Sequence, residues 1–365
     1  MKRREFSKMA GMSLLAMQSF PFATSAMLSE KEHMGATKVP IGVCNYSLRG
    51  LRLKAEQVIE YAIEHRLDSV LINVFRSFES IEAKHLAEVR SRAKANNISI
   101  YVGGDFSVSK TSSLYSEGYE NAEAGLMEGI RVASALGSPI VSIRIGGFGE
   151  RYSAGGLEVH IKEVIRVLKA KRGPALDAGI KFAMENHQDL RTEEVLRIIH
   201  EVGPDACGAL LDPANTVRVM DDPKRALKML GEHIICTSAR DFMVYESEEG
   251  ATMQCTVIGQ GLMDYKFYTN FLAENCPGVP IHVETIGSGK RSIPFLKPDF
   301  WDGFPDLPAS EIVDFLQRIR LGRPIEIEGP PVGEDKKKFE IEQQQMMLQK
   351  SLDYLRRECG AGLKS

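Results

Sequence analysis

The sequence has no Cys-x-x-Cys pair, which argues against a zinc ribbon or a thioredoxin-like redox site. It has no uninterrupted apolar run near the ~18 residues of a membrane span, so no spanning helix is expected in the mature chain. It has no surplus of positive charge: 46 basic residues face 49 acidic ones, for a net charge of −3. A general nucleic-acid binder needs a basic face to neutralise phosphates, so the charge argues against that class as well. Apolar residues are not scarce. At 43% of 365 residues, beside 26% charged residues, they exclude disorder as the dominant state. This length allows two or three domains, or one large α/β barrel.

The N-terminus reads as an export signal rather than as fold. Lys2, Arg3 and Arg4 lead into Glu5, Phe6, Ser7 and Lys8, a run that resembles a twin-arginine signal. A mildly apolar stretch over 9–22 follows, and Ala23-Thr24-Ser25-Ala26 offers small residues for cleavage. The expectation is a signal over 1–26 and a periplasmic or otherwise exported mature chain, with no membrane attachment once the signal is removed. Without those residues the net charge is −6, still less suited to nucleic acid. The six cysteines permit disulfides in an exported protein. However, Cys44, Cys207 and Cys236 lie in or beside apolar strand-like runs and read as buried free thiols.

The rest of the chain alternates β-branched runs with amphipathic helices. Strands ending near 46, 73, 103, 144, 185, 212, 239 and 284 are each followed by a helical pattern, the last over 309–320. Such alternation implies a parallel sheet. Eight units in about 280 residues meet the requirement of a (β/α)8 TIM barrel, expected over 39–325. A doubly wound open sheet would want a Gly-rich turn after the first strand, and Asn45-Tyr46-Ser47-Leu48 is not one. The loop over 286–308 carries Arg291, Lys297, Trp301 and three prolines, and is expected to cover a site. Residues 326–365 are expected as a C-terminal helical extension. Its helix over 335–357 would pack outside the barrel or against a partner subunit in a homo-oligomer.

Chemistry on this fold sits at the C-terminal strand ends. Strand five ends in Glu185-Asn186-His187, strand six in Asp212-Pro213-Ala214-Asn215 and strand eight in His282-Val283-Glu284. Side chains alternate along a strand, so Glu185 shares a face with His187, and Glu284 with His282. The same alternation turns Met184 and Val283 outward and the acids inward. Three like charges in one barrel mouth repel unless a cation holds them. A divalent metal of the Mn²⁺, Mg²⁺ or Zn²⁺ kind is the economical choice; the alternative is three ordinary strand-end acids that meet helix N-termini or loop arginines. Arg144, on an otherwise apolar fourth strand, either binds substrate oxygens or pairs with an acid. Asn45, Asp105 and Arg218 take comparable places and read as rim structure.

These motifs together resemble the xylose-isomerase-like barrel superfamily of sugar isomerases and epimerases. The likeness rests on Met184-Glu185-Asn186-His187, on Leu211-Asp212-Pro213-Ala214-Asn215, on Gly259-Gln260-Gly261-Leu262-Met263-Asp264-Tyr265 and on His282-Val283-Glu284. It spans about 40–320. The resemblance implies that Glu185, Asp212 and Glu284 bind a divalent metal. The family's histidine ligand, in a His-x-Lys-Asp segment, is matched here by Ser238-Ala239-Arg240-Asp241. The site could therefore use three carboxylates with extra water, borrow His187, or hold no metal, with Arg240 as a fixed cation. His282 lies about 6–7 Å deeper than Glu284 and reads as a core group.

The resemblance implies chemistry on a small carbohydrate. Glu185 and Glu284 would move a carbon-bound proton off and back through an enediolate. His187, Arg144, Arg240 and Asn215 would bind the substrate. Three other readings stay open: a lyase or dehydratase sharing the first step, a glycoside-cleaving enzyme using two carboxylates, and a non-catalytic sugar-binding barrel.

Overall fold

Runs of β-branched and other apolar residues form the strands, because both faces of a barrel strand are covered. The computed structural model describes residues 38–115, 118–326, 329, 330, 333 and 335–364. The signal read over 1–26 lies outside the described residues. Seven parallel strands come first: β1 (Ile41–Cys44), β2 (Ser69–Ile72), β3 (Ser99–Ser107), β4 (Ile140–Arg144), β5 (Lys181–Glu185), β6 (Cys207–Leu211) and β7 (Ile234–Thr237). Next come β8 (Asp241–Ser247), β9 (Gly250–Thr256), β10 (Ile281–Val283) and β11 (Arg291–Ile293). The main sheet runs β10-β1-β2-β3-β4-β5-β6-β7. A parallel bridge between Ala239 and Val283 joins its two edges. There the Ala239 N–H donates to His282 O at 2.7 Å, and the Glu284 N–H to Ala239 O at 3.0 Å. This is the expected (β/α)8 TIM barrel.

Inside the barrel, Cys44, Leu71, Tyr101, Ile140, Ala183, Leu210 and Cys236 pack as one buried cluster. They are the inward residues one layer below the strand ends. Glu185, Asp212 and Ser238 each follow a member of that cluster by two positions, so they stand one layer higher. His282 belongs to the floor: its Nδ1 donates to Thr237 O at 3.1 Å, and its Nε2 meets the Ser69 hydroxyl at 3.1 Å. Burial pushes its pKa down to about 3, so it is a neutral core imidazole. Gly42 makes room for it, since a Cβ there would lie 2.8 Å from the His282 ring. All six cysteines are free, and all except the half-buried Cys359 are buried.

The helices are α1 (Ala55–Glu64), α2 (Ala83–Ala95), α3 (Ala122–Leu136), α4 (Gly156–Asp177), α5 (Thr192–Val202), α6 (Pro213–Arg218), α7 (Pro223–Leu230), α8 (Tyr265–Asn275), α9 (Val313–Ile319) and α10 (Lys336–Cys359). Two features depart from the sequence reading. First, the stretch between β7 and α8 is a β8–β9 hairpin, joined by β11 into a three-stranded antiparallel sheet. Its strands are buried without a clean alternation, so hydrophobic period does not mark them. Second, α9 packs against β8, while α10 packs against α8, β10 and the turn after β1. The Gln344 side chain donates to Thr285 O at 2.7 Å, and Arg356 donates to His65 O at 2.6 Å. So α10 takes the eighth place in the outer ring. Leu348, Leu352 and Leu355, spaced along one face, are fully buried there.

Candidate active site

Residue 212 both ends β6 and opens α6. One oxygen of Asp212 accepts the Ala214 N–H at 2.9 Å, as an N-cap does, and Pro213 suits the first turn. Asn186 clamps the Asp212 backbone from β5: its Nδ2 donates to Asp212 O at 2.9 Å, and its Oδ1 accepts the Asp212 N–H at 2.8 Å. The other Asp212 oxygen accepts from Arg240 Nη2. The same Nη2 donates to Asn215 Oδ1 at 2.8 Å. Arg240 Nε lies 3.9 Å from Glu284 Oε2, and that oxygen accepts the Ser238 hydroxyl.

The mouth therefore gathers Glu185, Asp212, Ser238, Arg240, Asn215 and Glu284, all buried. Glu185 is pushed up to about 7, mainly by burial and then by the charge of Glu284, with Arg144 and Arg240 opposing. Asp212 is pushed up to about 6 by burial, against the pull of Arg240. The acids hold the Arg240 guanidinium firmly protonated despite its burial. Among the described residues two donors in this group have no hydrogen-bond partner: Arg240 Nε and Asn215 Nδ2, both buried. An unmet buried donor costs about 1–3 kcal/mol, so both N–H groups are open to an oxygen from outside the protein.

His187 stands over the end of β4. Its Nδ1 donates to Gly146 O at 2.6 Å, while the Gly146 N–H donates to Asp189 Oδ2 at 2.8 Å. The strap ties the loop after β4 to the loop after β5. Burial lowers the His187 pKa and raises that of Asp189 to about 7. With Nδ1 carrying the proton, neutral His187 keeps Nε2 as an acceptor. Arg144 ends β4, with its Nε buried and without a partner. Asp241 collects the N–H groups of Gly259 at 2.9 Å, Gly261 at 3.0 Å and Met263 at 3.1 Å. The Gly259-Gln260-Gly261 motif is thus a loop wrapped on a carboxylate, and Asp264 then caps α8 through the Phe267 N–H at 3.0 Å.

The ligands implied by the resemblance meet a fixed cation, Arg240, in this mouth. Glu185, Asp212 and Glu284 do reach one mouth, but they do not form a metal cage. Among the described residues no group of three His, Cys, Asp or Glu side chains is placed to hold a metal ion. One Asp212 oxygen caps a helix and the other is bound to a guanidinium, and Glu284 is engaged by Ser238. A fixed cation stands where the acids converge, so the residues present do not fit a divalent ion. Asn186, Asp189 and Asp241 were missed by the sequence reading. Asn186 and Asp241 lie inside quoted motifs and Asp189 two residues beyond one, but their partners are backbone groups that no sequence pattern displays.

A family model described as a xylose isomerase-like TIM barrel matches residues 59–319. The uncharacterized protein YihM of Escherichia coli K12 is 24% identical over 224 residues, 60% of this chain and 63% of that protein. This chain therefore matches less than two thirds of that relative's length. Among solved structures, D-psicose 3-epimerase from Clostridium cellulolyticum H10 with D-tagatose is 14% identical. That match covers 87% of this chain and 99% of the other, with a TM-score of 0.55. The IolI protein with a bound zinc atom is 15% identical over 77% of this chain and 96% of the other, with a TM-score of 0.53. At such identities these structures speak to the fold alone.

Proposed function

Because the chain belongs to the xylose isomerase-like TIM barrel family, we propose that it is an enzyme that isomerises or epimerises a sugar by proton transfer through an enediolate. The observation that carries this reading is the pair of unpartnered donors, Arg240 Nε and Asn215 Nδ2, beside the buried carboxylates Glu185 and Glu284. A proton next to a carbonyl is far too weakly acidic for a carboxylate to remove unaided. Most of the barrier reduction must come from donors aimed at the oxygen that becomes negative.

In this reading the substrate carbonyl oxygen takes the N–H groups of Arg240 and Asn215. Glu185, with a pKa near 7, exchanges a proton with the adjacent carbon at neutral pH. Glu284, oriented by the Ser238 hydroxyl, serves the second proton position. His187 Nε2 accepts from a substrate hydroxyl, and no step needs a metal. The signal read over 1–26 would deliver the enzyme beyond the cytoplasm.

The test is exchange with solvent deuterium, followed by NMR on a panel of keto-sugars, sugar acids and sugar phosphates. The expected result is label at a carbon next to the carbonyl. Glu185→Gln and Glu284→Gln should each lower the exchange rate about 10²–10⁴-fold. Exchange that persists unchanged in both variants, or release of sugar from glycosides without exchange, would overturn the reading.

A further inference from the structure

Several buried or half-buried arginines of this chain meet carboxylates: Arg151 with Glu194, Arg225 with Glu193, Arg318 with Asp222. Arg218 and Arg291 do not. Among the described residues neither lies within ion-pair distance of an acid, although Arg218 Nε and Arg291 Nη1 are buried without hydrogen-bond partners. Both are half-buried. Arg218 is the last residue of α6, the helix that Asp212 opens. Its Nη1 donates to Ser292 O at 2.6 Å, next in sequence to Arg291, and its guanidinium lies 5.0 Å over the Phe148 ring. Arg291 opens β11, opposite Met253 of β9.

Two guanidinium groups are thus held near each other with no counter-charge. Burial and then the charge of Arg291 bring Arg218 down to about 10. Helix α6 links them to the acid mouth: Asp212, bound to Arg240, caps its first turn, and Arg218 is its last residue. At ~1.5 Å per residue the six-residue helix is about 9 Å long, which sets the spacing between the arginine pair and the acids.

We propose that Arg218 and Arg291 form a subsite for an anionic group, so that the substrate is a sugar bearing a carboxylate or a phosphate. This rests on the proton-transfer reading and narrows its substrate class. Guanidinium groups suit both anions, because their N–H forks match paired oxygens. The anion would take the unpartnered N–H groups and cancel the repulsion between the two arginines. Its sugar carbons would extend toward Arg240 and Asn215.

The experiment is calorimetric titration of the purified protein with D-glucuronate, D-glucose 6-phosphate and D-glucose. At least one of the two acids should bind about tenfold or more tightly than glucose. Whichever acid binds more tightly identifies the group as carboxylate or phosphate. Added salt should weaken that binding. Arg218→Gln and Arg291→Gln should each weaken it by a similar factor, while Arg218→Lys, which keeps the charge, restores part of it and controls for folding. Equal affinity for all three sugars, no binding by any at millimolar concentration, or unchanged affinity in both glutamine variants overturns the subsite. Deuterium exchange separates the two readings. Exchange that is as fast in neutral sugars as in acidic ones sinks the subsite and leaves proton transfer standing. Tight acid binding without exchange in any sugar does the reverse.

Discussion

Position 240 sets the electrostatics of the mouth. A guanidinium bound to Asp212 and set 3.9 Å from Glu284 neutralises acids that would otherwise repel or protonate. Removing one member of a buried ion pair costs about 3–5 kcal/mol, because it strands the other charge. This bears on Ser238, which stands where the family's histidine is expected. Restoring that histidine alone should not restore metal binding, since Arg240 still occupies Asp212. Titration of Mn²⁺ into Ser238→His should show no gain in affinity. The double variant Ser238→His with Arg240→Ala should gain it, because four ligands of suitable type then face one space. A gain in the single variant would show that Arg240 does not hold Asp212 in solution. The acids at this scale were legible in the sequence, since strand alternation alone turns Glu185, Asp212 and Glu284 inward. Arg240 was legible as a candidate cation, but which acid it binds was not, because it reaches Asp212 from the segment after β7.

Among the elements, α10 has the clearest consequence. Read as an outer extension, it would be dispensable. Packed between α8 and the turn after β1, it covers the β10 side of the barrel and buries Leu348, Leu352 and Leu355 completely. Leu352→Ala should lower stability by about 2–5 kcal/mol, the cost of a large-to-small change in a sealed core. Thermal or denaturant unfolding measures it, and a loss under about 0.5 kcal/mol would be that of a surface residue. The β8–β9 hairpin is an element that periodicity did not reveal. Its Gln254 is fully buried, taking the Tyr245 hydroxyl at 2.8 Å and donating to Ile325 O at 3.1 Å. A buried amide in a strand reads as loop until its partners from distant segments are known. With β11, this hairpin brings Arg291 beside Arg218.

For the molecule as a whole, the buried acids set how stability depends on pH. Glu185 and Asp189 are raised to about 7, and Asp212 and Asp241 to about 6, with burial the leading cause in each. A raised carboxyl binds its proton more tightly in the folded chain than in the unfolded one. Stability is then greatest below the unfolded pKa, and is lost as pH rises through the folded value. For Glu185, raised from 4.5 to about 7, the loss is about 3 kcal/mol by pH 8. Glu185→Gln, neutral at every pH, should therefore melt higher than the parent protein at pH 8, and the difference should shrink at pH 5. Melting curves at the two pH values decide it, and a variant that is no more stable at pH 8 would mean that Glu185 is ionised without cost.

By itself the sequence determined the barrel, the order of its strands and the inward acids, because hydrophobic period and strand alternation are local properties. Tertiary structure alone decided that Arg240 neutralises Asp212, that α10 rather than α9 completes the outer ring, and that Arg218 and Arg291 meet without a counter-charge. Those outcomes depend on which segments, far apart in the chain, come within a few ångströms of one another. Charge pairing and burial act through space, and neither leaves a period in the sequence.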